Sequence, residues 1–72
     1  MNLPKEQARL RAKATKELGK AMTLADYALQ HLFHNRIQYA EMRVSRAFIA
    51  LDAVADALDE WKRIRDYKEF PG

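Results

Sequence analysis

Cysteine is absent from this 72-residue chain, which excludes disulfide bonds and metal sites built on thiolates. Glycine and proline occur only twice each, although folds rich in strands need many such turn residues. Hydrophobic residues make up 49% and charged residues 32% of the chain, a balance typical of folded, soluble proteins. The sequence therefore predicts one all-α domain spanning residues 1–72.

Several functional signals are also missing. No apolar run approaches the roughly 18 residues of a membrane span, and the residues after Met1 lack the apolar core of a secretion signal. The chain has no glycine-rich phosphate loop, and His31 and His34 have no carboxylate at a spacing that would complete a metal site. We therefore expect a cytoplasmic protein that is not an enzyme, uses no cofactor or metal and does not act at a membrane.

The first half of the chain has the pattern of a long helix. Pro4 suits the first helical position, and Glu6 complements the helix dipole in the first turn. Apolar residues then recur at steps of four and three, the spacing of a heptad seam: Leu18, Met22, Ala25, Leu29 and Leu32. Gly19 interrupts this helix at a cost of about 1 kcal/mol relative to alanine. We expect it to allow close packing against Phe48, Leu51 or a second hairpin, with a kink as the alternative.

A short turn is predicted near residue 35. Asn35 suits the N-cap of a second helix, with Gln38 completing a capping box, or it ends the first helix in the left-handed conformation. The predicted elements are a helix over about 4–33, a turn over about 34–36 and a helix over about 36–68. The competing interpretation is one unbroken helix of more than 60 residues, because the turn lacks glycine.

The second helix carries the more regular seam. Its apolar residues step by three and four without a fault: Ile37, Ala40, Val44, Ala47, Leu51, Val54, Leu58 and Trp61. When the chain is folded at residue 35, Leu29 meets Ala40, Leu18 meets Leu51, and Arg9 falls opposite Asp59. Two seams that match in this way predict an antiparallel two-helix hairpin.

One flank of this hairpin is lined by small side chains and is interpreted as a self-association surface. Its residues are Ala21, Ala28, Ala50, Ala57 and Ile64. Two helices alone cannot enclose a core, so we expect two hairpins to form a homodimeric four-helix bundle. In size and topology the chain resembles the small helical-hairpin dimers carried by phages and plasmids, a group that includes the plasmid RNA-regulating Rop protein. No residue-level motif supports this resemblance, so no functional residue is transferred from it.

Two surface stripes are candidate binding sites. The first, the docking stripe, lies on the outer face of the second helix and has the composition of an interface core: Tyr39, Met42, Arg46 and Ile49. The second, the basic stripe, lies within residues 1–20, which hold six basic and two acidic residues: Arg9, Lys13, Lys16 and Lys20. The docking stripe could instead be the dimer interface, and the basic stripe could be a solvated face.

The leading functional hypothesis is a small homodimeric binding protein. It would dock onto a larger regulatory protein, such as a transcription factor, and modulate it, most simply by inhibition, as an accessory regulator of the phage or plasmid type. The alternative is a helical dimer that binds RNA or DNA through the basic stripe. A purely structural subunit of a larger helical assembly is the third possibility.

Overall fold

The two predicted helices are present and pack as a hairpin. A computed structural model describes residues 3–69 of the chain, and the side chains of residues 4–66. Helix α1 spans Leu3–Phe33 and helix α2 spans Ile37–Glu69, each bound lying one residue or less from the predicted one. The molecule measures 56 × 16 × 13 Å. The all-α hairpin is confirmed and the single unbroken helix is excluded.

The turn settles how Asn35 acts. Its φ angle is 58°, in the left-handed region that asparagine tolerates better than most residues. The Asn35 N–H donates to the Leu32 carbonyl at 3.1 Å, and the Arg36 N–H donates to the His31 carbonyl at 2.8 Å. These two bonds form the Schellman motif that ends many helices. Asn35 therefore terminates α1. Arg36 directly precedes α2, and its carbonyl accepts the first hydrogen bond of that helix from the Ala40 N–H at 3.0 Å.

Helix α1 continues without interruption through Gly19. The Thr23 hydroxyl donates to the Gly19 carbonyl at 3.1 Å, within the continuous helix. A Cβ atom built onto Gly19 would meet nothing within 4 Å. The prediction that this glycine permits close packing against Phe48 or Leu51 is therefore wrong, because the position faces open space.

The contact between the helices is made mainly of alanine. We call the buried residues the alanine seam: Leu10, Ala14, Ala21 and Ala28 on α1, with Ala40, Ala47, Ala50, Val54 and Ala57 on α2. Seven of these nine residues are alanine, so the helices approach each other closely, as small side chains permit. The core is densest towards the open end of the hairpin, where Trp61 and Ile64 pack against Leu10, Ala14, Val54 and Ala57.

This seam differs from the predicted one. On α2 the predicted and observed seams share Ala40, Ala47 and Val54, but the predicted partners Leu51 and Leu58 are 42% and 45% exposed. On α1 the predicted residues Leu18, Met22, Leu29 and Leu32 are all exposed. The buried residues Ala21 and Ala28 lie one position before Met22 and Leu29. The predicted facing pairs Leu18–Leu51 and Leu29–Ala40 were therefore wrong, because here the helices are rotated so that alanine rather than leucine faces the partner. The pairing of Leu10 with Trp61, which the same folding at residue 35 predicts, is confirmed in the core.

Candidate functional site

The hairpin has two different sides, one on each edge of the alanine seam. In both helices, most residues four positions after a seam alanine lie on one side, and most residues three positions after it lie on the other. The exceptions, Ala50 and Val54, belong to the seam itself. Because the helices run antiparallel, the corresponding sides of α1 and α2 combine into continuous surfaces. The first side holds residues such as Leu18 and Leu51, and the second holds residues such as His31 and Arg43.

The first side is a large apolar surface, here called the leucine face. Its members are between 42% and 69% exposed: Leu18, Met22, Leu29, Leu32, Ile37, Val44, Phe48, Leu51 and Leu58. Single exposed apolar residues are normal on proteins, but a group of nine on one side of a hairpin is typical of an interaction surface. The leucine face is therefore the most apolar candidate site on the described part of the hairpin.

The second side carries ring contacts that join the two helices. The ring of His31 stacks on that of Tyr39, with centroids 5.4 Å apart and an angle of 28° between the planes. One helical turn further from the loop, the Arg43 guanidinium lies over the Tyr27 ring, 5.1 Å from its centroid. We call this side the aromatic–basic face: Lys20, Tyr27, His31, Tyr39, Arg43 and Arg46. Its rings and cations thus contact each other across the helix pair.

The docking stripe lies along the edge of this aromatic–basic face. Tyr39 is 57% exposed and Ile49 is 70% exposed, although Tyr39 also stacks on His31. Arg46 and Ile49 line an open groove of about 310 Å³, together with Leu24 and three flanking residues, Glu17, Lys20 and Ala50. The stripe is thus accessible and adjoins a concave surface, and its role in partner binding stays a prediction.

Two of the four cations of the basic stripe, Arg9 and Lys20, form ion pairs. Arg9 pairs with Glu6 at 2.9 Å in its own helix and with Glu60 of α2 at 3.6 Å. The hydrogen bond and negative charge of Glu6 raise the pKa of Arg9 above its usual value, so Arg9 stays cationic. Its acidic partner on α2 is Glu60 rather than the expected Asp59.

Lys20 lies 3.7 Å from Glu17, whereas Lys13 and Lys16 form no ion pair with any side chain among residues 4–66. Two cations of the basic stripe, Lys13 and Lys16, are thus available to a ligand. The hairpin also brings Arg46 of α2 to the same groove as Lys20, a juxtaposition that the spacing along α1 alone does not reveal.

The predicted self-association residues occupy the inside of the hairpin. Ala21, Ala28, Ala50 and Ala57 are only 1–5% exposed, and Ile64 packs half-buried against the core cluster. The prediction that these residues form an outer flank is corrected: small side chains here bring the two helices of one chain together. A second hairpin has no access to them in this conformation.

Sequence reasoning missed two features of the surface. It took the leucine face for the inner seam, and it did not single out Tyr27 or Arg43. The sequence contained a signal for the exposed leucine face, since an alanine pattern on α2 shares Ala40, Ala47 and Val54 with the predicted seam. It contained no signal for the Tyr27–Arg43 contact, because these two residues meet only once the helices are paired.

Within residues 3–69, no helix contains an apolar stretch long enough to cross a membrane. The same part of the chain holds no group of three His, Asp or Glu residues placed to bind a metal ion. Comparison of the chain with protein-family models, with curated proteins and with solved structures found no match. The surfaces of the hairpin are therefore the basis for the functional argument.

Proposed function

We propose that the protein is a small homodimeric binding protein of the cytoplasm that docks onto a larger regulatory protein and modulates it without catalysis. The observation that carries this proposal is the exposure of the docking stripe beside an open groove. Tyrosine and arginine are the residue types most often found as interface hot spots. Here Tyr39 and Arg46 are exposed on one edge of the hairpin, with Met42 and Ile49 between and beyond them.

The charges around the stripe indicate the kind of partner. Lys20 and Arg46 line the groove, and Glu17 is the one acidic residue among its lining residues. Arg43 lies one helical turn before Arg46 on the same face, over the Tyr27 ring. The chain as a whole carries a net charge of +3. A surface of this sign steers an acidic partner towards it and speeds association at low salt. We therefore propose an acidic protein surface as the ligand of the docking stripe.

The test uses the intact chain as bait in an extract of its native host, with partners identified by mass spectrometry. Wild-type protein and the control Phe33→Ala should recover the same partner, since Phe33 is 78% exposed and lies outside the docking stripe. Tyr39→Ala and Arg46→Ala should each lose that partner while keeping the helical content of the wild type. Equal recovery by all four proteins would contradict the proposal.

Nucleic-acid binding is the second candidate, and a specific observation favours it. Lys13 and Lys16 have no intrachain ion pair among the described side chains, and the hairpin places Arg46 beside Lys20. In this case duplex RNA or DNA should bind with an affinity that falls steeply with salt, each phosphate contact adding about one unit to the slope. The double variant Lys13→Glu/Lys16→Glu should abolish binding without loss of helicity. No binding of any duplex at low salt would exclude this candidate.

A further inference from the structure

The hairpin exposes much more surface than a compact protein of its size. Its accessible surface is 5964 Å², whereas a compact monomer of 8.4 kDa exposes about 4,600 Å². Its radius of gyration is 16.5 Å, against about 11 Å for a compact domain of 72 residues. The surplus, about 1,400 Å², exceeds the roughly 800 Å² that one partner contributes to a standard protein interface.

The distribution of side chains shows where this surplus lies. The interior of the hairpin contains seven alanines, one valine and one leucine, while nine larger apolar side chains form the exposed leucine face. A hairpin that acted alone would gain more by burying its leucines than its alanines, because burial stabilises in proportion to apolar area. The observed rotation of both helices is favourable if a further protein surface buries the leucine face as well.

We infer that the leucine face binds the leucine face of a second copy of this chain, forming a four-helix bundle. A domain with so small a core needs its cover in order to fold, and the chain that is always present with it is another copy of itself. Each helix then supplies two adjacent seams, alanine towards its partner within the chain and leucine towards the second copy. This inference rests on the proposed homodimer and assigns its interface, which the alanine seam cannot provide.

The charges at the margins of the leucine face also suit a second copy. Glu41 lies on this side near the turn, and Arg11 and Lys62 lie on this side near the open end. All three are exposed, and none forms an ion pair with another side chain among residues 4–66. When the second copy is turned end for end, Glu41 of each chain approaches Arg11 and Lys62 of the other, at an end that also carries the acidic residues Asp59 and Asp66. Because such an interface is isologous, the same pairing of opposite charges occurs at both of its ends.

The assignment has a functional consequence. When two leucine faces form the centre of the bundle, the two aromatic–basic faces lie on opposite outer sides. The dimer then offers two identical docking stripes that point in different directions. A bivalent module of this form can link two copies of a partner or bind one repetitive partner with increased avidity.

The test measures the mass of the full chain by sedimentation equilibrium at micromolar concentration. Wild-type protein should have twice the chain mass of 8.4 kDa. Leu51→Glu should raise the dissociation constant at least a hundredfold, because it places a charge at the centre of the interface. The matched control Ile49→Glu makes the same kind of change on the other side of α2 and should leave the dimer mass unchanged. Glu41→Lys should weaken the dimer several-fold, and Lys62→Glu should restore it in the same chain.

A second measurement keeps the inference testable if Leu51→Glu fails to fold. The absence of cysteine allows single thiols to be placed by Phe48→Cys and Ile49→Cys, adjacent positions that are 63% and 70% exposed in one hairpin. In the proposed dimer a maleimide should label the first thiol at least tenfold more slowly than the second. Equal labelling rates, or a fully helical wild-type monomer, would overturn the inference. A dimer dissociated by Ile49→Glu but not by Leu51→Glu would also overturn it and would identify the docking stripe as the self-interface. Partner recovery by the Tyr39 and Arg46 variants is measured separately, so failure of the docking proposal remains distinguishable.

Discussion

The two sides of the hairpin are built from the same two helices and differ in almost every other respect. The leucine face is apolar and makes no polar contact, with side chains such as Met22 and Ile37 about two-thirds exposed. The aromatic–basic face is held together by ring contacts across the helices, His31 with Tyr39 and Arg43 with Tyr27. The first side exposes apolar area to water, which is unfavourable. On the second side, contacts between the helices already hold several side chains in place. This contrast is the basis on which we propose assembly for the first side and recognition for the second.

The alanine seam is what allows the two sides to differ. Because small residues fill the contact between the helices, the large apolar residues are free to face outwards on one side. The hairpin geometry thus depends on close approach of the helices at Ala21, Ala47 and their neighbours. The largest expected effect of any single substitution is therefore at this seam.

Placing a charge in the alanine seam should break the hairpin. Ala21 is 4% exposed, so Ala21→Glu buries a carboxylate without a partner and should cost about 3–5 kcal/mol. The whole stability of a domain of 72 residues is about 4–11 kcal/mol. Urea unfolding followed by circular dichroism measures the loss. The exposed position Ala12 provides the control, and Ala12→Glu should change stability by less than about 0.5 kcal/mol. Equal effects at the two positions would show that the seam is misplaced.

A smaller effect is expected at a position that belongs to neither side. Gly19 is helical and exposed, and a Cβ atom there would meet nothing within 4 Å. Gly19→Ala should therefore stabilise the protein by about 1 kcal/mol through helix propensity alone. The same urea titration measures this gain, with dimer mass as the control for unchanged assembly. A loss of stability would mean that the glycine makes a contact in the assembled protein.

The smallest effect concerns the pairs on the aromatic–basic face. Arg43 lies over Tyr27, and a cation–π contact at an exposed site contributes about 0.5–1 kcal/mol. A double-mutant cycle with Arg43→Ala and Tyr27→Leu should yield a coupling free energy of that size. A coupling free energy indistinguishable from zero would remove the argument that this side is organised before a partner arrives.

The hairpin itself could be predicted from the sequence, because its signals are local. Asn35 is one of the few non-glycine residues that tolerate a positive φ angle, and it stands between two long helical patterns. The sequence left open whether it capped the first helix or the second. The hydrogen bonds from the Asn35 N–H to the Leu32 carbonyl and from the Arg36 N–H to the His31 carbonyl show that it caps the first helix.

The rotation of the helices could not be predicted in the same way. On α2 the residues Ala40, Ala47 and Val54 belong to two seams, one completed by leucine and the other by alanine. Arg43 interrupts the alanine seam, so periodicity favours the leucine seam, although the structure buries the alanines. On α1 the observed seam is further disguised by Glu17 and His31, which lie half-buried at its edge.

The candidate binding surfaces were predicted in part. The docking stripe could be recognised from the sequence, because its residues recur at steps of three and four along one helix and therefore share one face. The aromatic–basic face could not be foreseen, because it combines residues more than ten positions apart, such as Tyr27 and Arg43. Charge pairing shows the same limit: Arg9 was placed opposite Asp59 and pairs with the next residue, Glu60. A shift of one position along a helix turns a side chain by about 100°, which is enough to change its partner.

The most direct test of the account is the dependence of thermal unfolding on protein concentration. If the leucine face needs a second copy as its cover, the midpoint of wild-type unfolding should rise by several degrees when the concentration is raised a hundredfold, because association stabilises the folded state by mass action. A midpoint that stays constant over that range, in a protein that unfolds reversibly, would show that the hairpin is stable alone and would contradict the central claim.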